Sequence, residues 1–286
     1  MKDVCPNCGA ALAGRYCADC GQKRIDEHEY SFGHFVAHSL HDLTHIDAKI
    51  FGSIIPLVAK PGLVTRDYLE GRRGRYLRPL QTFIILNVIF FLLASQLGMF
   101  RMTSKMFLET RPLFFAIQSR PLFEAKQRES GKTPEAFTEK VDERIDHLKR
   151  SLLLAIIPLF AAVIALLYIG SGRRYIEHLI FSIHFYSFWL IVTLAVPLAI
   201  VLTVKVFGFV RHAITNATSE KRYIPESPLI ATMFAGCWIW LDAALRRVYG
   251  SGRLGAFVKS AVLAVMLIVL LLGFRDLVFL VAVLGA

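Results

Sequence analysis

PLQTFIILNVIFFLLASQLGMF, residues 79–100, decides the fold class. It is an apolar run with no charged side chain, long enough as a helix to cross a hydrocarbon core of about 30 Å. It does not stand alone. Further runs fall at 152–170 (LLLAIIPLFAAVIALLYIG), at about 178–204 with Pro197 inside it, at about 227–245 (PLIATMFAGCWIWLDAALR) and at about 258–284. With the first, placed at about 80–100, they predict about five transmembrane helices. The fourth is less apolar, with an interfacial helix as its alternative, and the third is expected to break at Pro197. The composition agrees: 55% of residues are hydrophobic and the mean hydropathy is +0.51. This argues against a soluble globular chain, and no signal peptide is expected at the N-terminus.

The basic residues orient the spans. Arg66, Arg72, Arg73, Arg75 and Arg78 precede the first; Arg173 and Arg174 separate the second and third; Arg246, Arg247, Arg253 and Lys259 separate the fourth and fifth. All three groups belong on one side, and the excess of Lys and Arg makes that side the cytoplasm. The N-terminus is then expected inside and the C-terminus outside, in the cytoplasmic (inner) membrane of a bacterium. The loop at about 101–151 faces outward and is mixed in sign. Its second half predicts a helix: Thr133 caps, Pro134 opens, and Phe137, Val141, Ile145 and Leu148 make one face.

Working outward to the N-terminus, CPNCGAALAGRYCADCG (5–21) holds Cys5, Cys8, Cys17 and Cys20 in two Cys-x-x-Cys pairs. That spacing is a zinc-ribbon signature, each turn aiming two thiolates at one ion. Four thiolates close a tetrahedron and leave no position for a substrate, so the expected Zn²⁺ is structural. It staples a segment too short to bury a core of its own. The segment is nearly balanced in charge, so no nucleic acid is expected. A docking surface for a protein partner or for the membrane-side helices is the expected role.

Between the ribbon and the first span lies a predicted amphipathic helix on the cytosolic side, either flat on the cytoplasmic leaflet or packed on the bundle. Phe32, Val36, Leu40, Leu43, Ile46, Ile50, Ile54 and Leu57 make its apolar face, and Pro61-Gly62 ends it. His34, His38, His41 and His45 recur on the opposite face at helical spacing. They are candidate ligands for a second metal ion, or simply a solvated polar face. Glu177, His178 and His184 at the head of the third span are further candidates for that ion. The five arginines of the collar at 66–78 either hold the topology alone or bind anionic lipid headgroups or phosphate. Asp242, Arg275 and Asp276 are ionisable residues within apolar runs and so candidates for a solute path. GSGRLG (250–255) follows no strand and is not a dinucleotide loop.

The motifs CPNCG…GRYCADCGQKR, THIDAKIFGSI…KPGLVTRDYLEGRRGRYLRP and YIEHLIFSIHFYSF together resemble a family of uncharacterised bacterial membrane proteins, grouped as a domain of unknown function with a zinc-ribbon head. Lys60 stands where that family's pattern has arginine before Pro-Gly. The resemblance implies a cytoplasmic-membrane protein with an N-terminal zinc ribbon and implies no activity.

The expected organisation is an all-α polytopic membrane protein: a zinc ribbon at 1–24, the His-rich amphipathic helix and basic collar at 25–79, and the transmembrane helical domain at 80–286. The favoured role is a non-enzymatic sensor, scaffold or transport-associated component in contact with membrane lipids. Two alternatives stand beside it: a metal-dependent membrane enzyme acting on lipid, with its ion on the histidines, and a small-solute transporter.

Overall fold

The structure is a computed structural model that describes residues 4–24, 49–96, 102–109, 119–215 and 226–286. The stripe of His34, His38, His41 and His45, with the helix expected to carry it before residue 49, lies outside them. Among the described residues the chain is all-α apart from two isolated antiparallel bridges in the N-terminal head, Val4 with Ala11 and Tyr16 with Lys23. The helices are α1 (Lys49–Ala59), α2 (Leu63–Leu69), α3 (Pro79–Gln96), α4 (Ser104–Glu109), α5 (Ser119–Ser130), α6 (Pro134–Leu167), α7 (Tyr175–Thr215), α8 (Glu226–Tyr249) and α9 (Arg253–Leu284).

Three stretches are long and apolar enough to cross a membrane: α3, Tyr175–Ile200 of α7, and α9. A fourth is α6, if its two arms, Pro134–Lys149 and Leu154–Leu167, form one bent span at 50°. The protein is therefore polytopic. The expected break at Pro197 does not occur, since α7 stays helical to Thr215. Within apolar surroundings neighbouring groups can satisfy the one carbonyl a proline frees. The expected outer-loop helix and second span are one helix. Thr133 caps it, its hydroxyl accepting from the Ala136 N–H at 3.3 Å, and Pro134 opens it.

By packing, the chain falls into two units, Met1–Ala94 with Ile183–Ala264, and Ser95–Ser182 with Val265–Ala286. In the second unit, Phe137, Val141 and Ile145 of α6 are fully buried, as their spacing requires, while Leu148 is half-buried. Phe123 of α5 meets Phe137 edge-on at 5.1 Å, and Phe107 of α4 stacks on Phe279 of α9 at 4.8 Å. The Ser104 N–H at the start of α4 donates to Asp142 of α6 at 2.6 Å. The buried Ser182 hydroxyl of α7 donates to the Ile157 carbonyl of α6 at 2.8 Å, beside the buried Phe160 and Ala161.

In the first unit, α8 runs antiparallel to α7. Trp240 packs on Phe185 and Phe188 (5.8 and 4.7 Å between ring centroids), and Trp189, further along α7, meets Phe234, earlier on α8. Cys237, Trp240, Leu241, Ala244, Leu245 and Val248 form the buried stripe of α8. Against it sits the α1–α2 hairpin. Its turn is KPG: Pro61 ends α1, and Gly62 takes a left-handed φ of +74°. A Cβ at Gly62 would stand 2.9 Å from both Cα and O of Ala244, so only glycine lets the two backbones approach this closely. In a continued helix the carbonyl of Leu57 would accept from residue 61, but proline has no N–H. The indole N–H of Trp240 replaces it at 3.0 Å. Arg247 donates to the Pro61 carbonyl, closing the hairpin onto the end of α8.

Candidate metal centre and its seat on the collar

The two Cys-x-x-Cys segments fold as near-duplicates. Gly9 and Gly21 take φ of +82° and +69°, turning each chain back so that the Gly9 N–H donates to the Cys5 carbonyl and the Gly21 N–H to the Cys17 carbonyl, both at 2.9 Å. The Cys5 N–H reaches the Ala10 carbonyl at 2.7 Å and the Cys17 N–H the Gln22 carbonyl at 2.9 Å. With backbone groups so occupied, the four thiols are left to converge. Cys5 and Cys20 sulfurs are 3.6 Å apart, Cys8 and Cys17 sulfurs 3.5 Å, and all four lie within 4.8 Å of one another. A tetrahedron with Zn–S bonds of about 2.3 Å has edges of about 3.8 Å, so the set is the right size for one zinc ion. The cluster can hold a structural Zn²⁺.

The thiols do not ionise alike. Hydrogen bonds from the Asn7 side chain and the Gln22 N–H pull Cys20 down to about 6. Cys8 is pushed up to about 12: the Ala10 N–H pulls it down, but the contact with Cys17, then burial, then Cys20 and Cys5 outweigh that. Four thiolates this close repel one another, and a dication is what lets them all deprotonate.

The head is seated on the collar, and the link is a residue outside the cysteine motif. Gln22 donates its amide N–H to the Gly71 carbonyl at 2.7 Å, while its oxygen accepts from the backbone N–H of Arg73 at 3.0 Å and of Gly74 at 2.9 Å. One amide thus reads three backbone groups of the turn at 71–74. Asn7, in the other knuckle, packs so close to Gly74 that a Cβ there would meet its Nδ2 at 2.9 Å. The head thus contacts the turn at 71–74 of its own chain. A pure Cys-x-x-Cys reading misses Gln22. In the sequence it is marked only by its place directly after Gly21, inside the GRYCADCGQKR motif.

The collar arginines are largely committed to their own chain. Asp67 is buried and accepts from Arg72 (Nη2 at 2.5 Å, Nε at 3.2 Å) and from the Tyr76 hydroxyl at 3.0 Å. Glu70 pairs with Arg72 and lies 3.7 Å from Arg66. Bonding to Asp67 raises Arg72 further, and burial, then Asp67, pushes the Tyr76 phenol above its usual range. Arg73 lies over the Tyr68 ring at 4.5 Å and donates to the Tyr68 carbonyl. Arg78 is half-buried at the entry to α3, where its carbonyl accepts from Thr82, and Arg75 is exposed.

The remaining candidates are dispersed. His184 is buried in the first unit, its Nδ1 3.0 Å from the Thr65 hydroxyl of α2. Glu177 binds Arg173 at 2.8 Å in the second unit, where His178 is buried beside it in sequence. Among the described residues these three form no group able to hold an ion; the four cysteines do. Asp242 pairs with Arg246 one turn on, and Arg275 with its neighbour Asp276 at 2.8 Å, the latter pair on a face that Phe107 covers. Each of these charges is paired within its own helix.

Residues 47–91 match the model of a family described as "Protein of unknown function (DUF3667)". The match covers α1, the KPG turn, α2, the collar and most of α3, which is the part of the first unit on which the head sits. No curated protein and no solved structure matches the chain.

Proposed function

We infer that this is a five-span protein of the bacterial cytoplasmic membrane, N-terminus in the cytosol, whose zinc-held head is a non-enzymatic scaffold or sensing element latched to the membrane domain. The observation that carries the reading is the Gln22 amide on the turn at 71–74, next to four thiols that can close around one ion. Closed coordination by Cys5, Cys8, Cys17 and Cys20 offers no position for chemistry. Zinc then sets the shape of the head, and the head sets the shape of the collar.

The fifth span in this reading is α8. Its 24 residues reach about 36 Å at 1.5 Å per residue, enough to cross. Its low apolarity has a cause: one face packs on α2 and α7 instead of on lipid. Its antiparallel run beside α7 supports a crossing in the return direction. The bond from Arg247 to Pro61 supports one shared side for two basic segments, the collar and the turn before α9. The positive-inside rule makes that side cytosolic. A protein partner at the head belongs to this reading; Val4 and Tyr16 are the exposed apolar residues the head offers it.

The test is limited trypsin digestion in membranes opened on the cytosolic side. Arg72, Arg73 and Arg75 are cleavage sites held in the latched turn. Chelation of zinc is expected to speed cleavage there. Equal rates with and without zinc contradict the latch.

A further inference from the structure

The geometry points to α1 as a lipid-facing helix that lies in the bilayer interface on the collar side, with Phe51, Ile55 and Val58 inserted among the acyl chains. These residues recur at i, i+4 and i+7, so they form one face. They are exposed, at 72%, 62% and 37%. This is not the face that the periodicity selects: Leu57 is buried and Ile50 and Ile54 are half-buried against the protein. The helix is thus apolar on both sides, which a helix surrounded by water and protein has no reason to be.

Its occupant follows from what α1 is attached to. Near its start, the Ser53 hydroxyl accepts from the Leu77 N–H at 2.8 Å, two residues before the membrane helix α3 begins. Near its end, the Leu57 carbonyl takes the Trp240 indole, and Gly62 lies against Ala244, within the last third of α8. A helix about 16 Å long therefore ties the start of the membrane helix α3 to the last third of α8. The membrane helix α3, whose start it holds, likewise exposes apolar residues, Val88 and Ile89. Lys49 at its first position is exposed and by helical spacing lies on the opposite side from Phe51, and Lys60 just after its end is exposed. That places ammonium groups at headgroup level while the apolar face points into the acyl region. The argument needs only that α3 is embedded, so it stands whichever side of the membrane the head occupies.

The test uses the full chain in lipid vesicles. Phe51→Trp and Ile55→Trp each add one tryptophan at an exposed site, read above the three native ones. The added emission is expected to be blue-shifted and quenched by lipids brominated along the acyl chain, several-fold more than that of Tyr16→Trp on the head. Iodide in the water is expected to do the reverse. If both new tryptophans are quenched by iodide as strongly as Tyr16→Trp and ignore brominated chains, the face is not in lipid and the inference is overturned. Zinc content of each variant confirms that the head is intact.

Discussion

Replacing Gln22 by alanine removes the latch without touching a metal ligand. Three hydrogen bonds go: one to the Gly71 carbonyl and two from the N–H groups of Arg73 and Gly74. Each contributes about 0.5–1.5 kcal/mol net. The turn borders water, so the freed groups are partly resolvated, and the three bonds share one side chain. The expected loss is about 2–3 kcal/mol in head docking, or roughly 30- to 150-fold in the undocked fraction at about 1.4 kcal/mol per tenfold. Amide hydrogen exchange reads this directly. Exchange at Gly74 is expected to accelerate by that order, and at Arg73 by less because its N–H also reaches the Gly71 carbonyl at 3.0 Å, while Thr82, bonded to the Arg78 carbonyl inside the α3 start, stays slow. Gln22→Glu gives a graded control. A carboxylate can accept from both N–H groups but cannot donate to Gly71, so its effect should fall between wild type and alanine. Exchange at Arg73 and Gly74 unchanged in the alanine variant would refute the latch. So would equal acceleration at Thr82, which would signal general unfolding.

Four further outcomes follow from the packing. Gly62→Ala forces a Cβ to 2.9 Å from the Ala244 backbone at a left-handed φ, and is expected to cost about 2–4 kcal/mol; thermal unfolding in detergent measures it, and a Tm equal to wild type contradicts the close approach. Trp240→Phe keeps a ring against Phe188 but leaves the Leu57 carbonyl without a donor, an expected loss of about 1–3 kcal/mol in the same assay. Asp276→Asn strands the Arg275 guanidinium and should destabilise by about 3–5 kcal/mol, whereas Arg275→Met with Asp276→Leu should be tolerated; equal damage in both would point to a role beyond mutual neutralisation. Burial and the Asp67 contact favour the neutral Tyr76 phenol in the folded state, so its contribution is full below pH 10 and is lost as pH rises beyond it; the ultraviolet difference titration against Tyr76→Phe should show a phenol ionising above 10, and a midpoint at or below 10 contradicts the burial.

Local features are legible in the sequence and long-range ones are not. The Cys-x-x-Cys turns, the Thr133 cap with Pro134, and the stop at Pro61-Gly62 each depend on a few consecutive residues, and each forms as its pattern requires. The buried stripe of Phe137, Val141 and Ile145 follows from period alone. Pro197 misleads because a helix among apolar neighbours tolerates a proline that would break one in water. The collar arginines read as an open basic cluster, yet Asp67 and Glu70 in the same turn neutralise Arg72. Charge counting along the chain does not show that folding. Gln22 with the turn at 71–74, Trp240 with Leu57, and Thr65 with His184 pair residues far apart in sequence. No periodicity encodes them. In α1 the expected stripe is only part of the outcome: Leu57 is buried and Ile50 and Ile54 are half-buried, as that stripe places them, but Phe51, Ile55 and Val58 make a second, exposed apolar face that the period does not single out.

The most direct test of the central claim is metal content. Protein purified in mild detergent without a histidine tag is compared by elemental analysis with the variant in which Cys5, Cys8, Cys17 and Cys20 are serine. The account predicts one zinc per chain in the wild type and none in the variant. A wild type without zinc, or a variant that keeps its full metal, would contradict a zinc-held head.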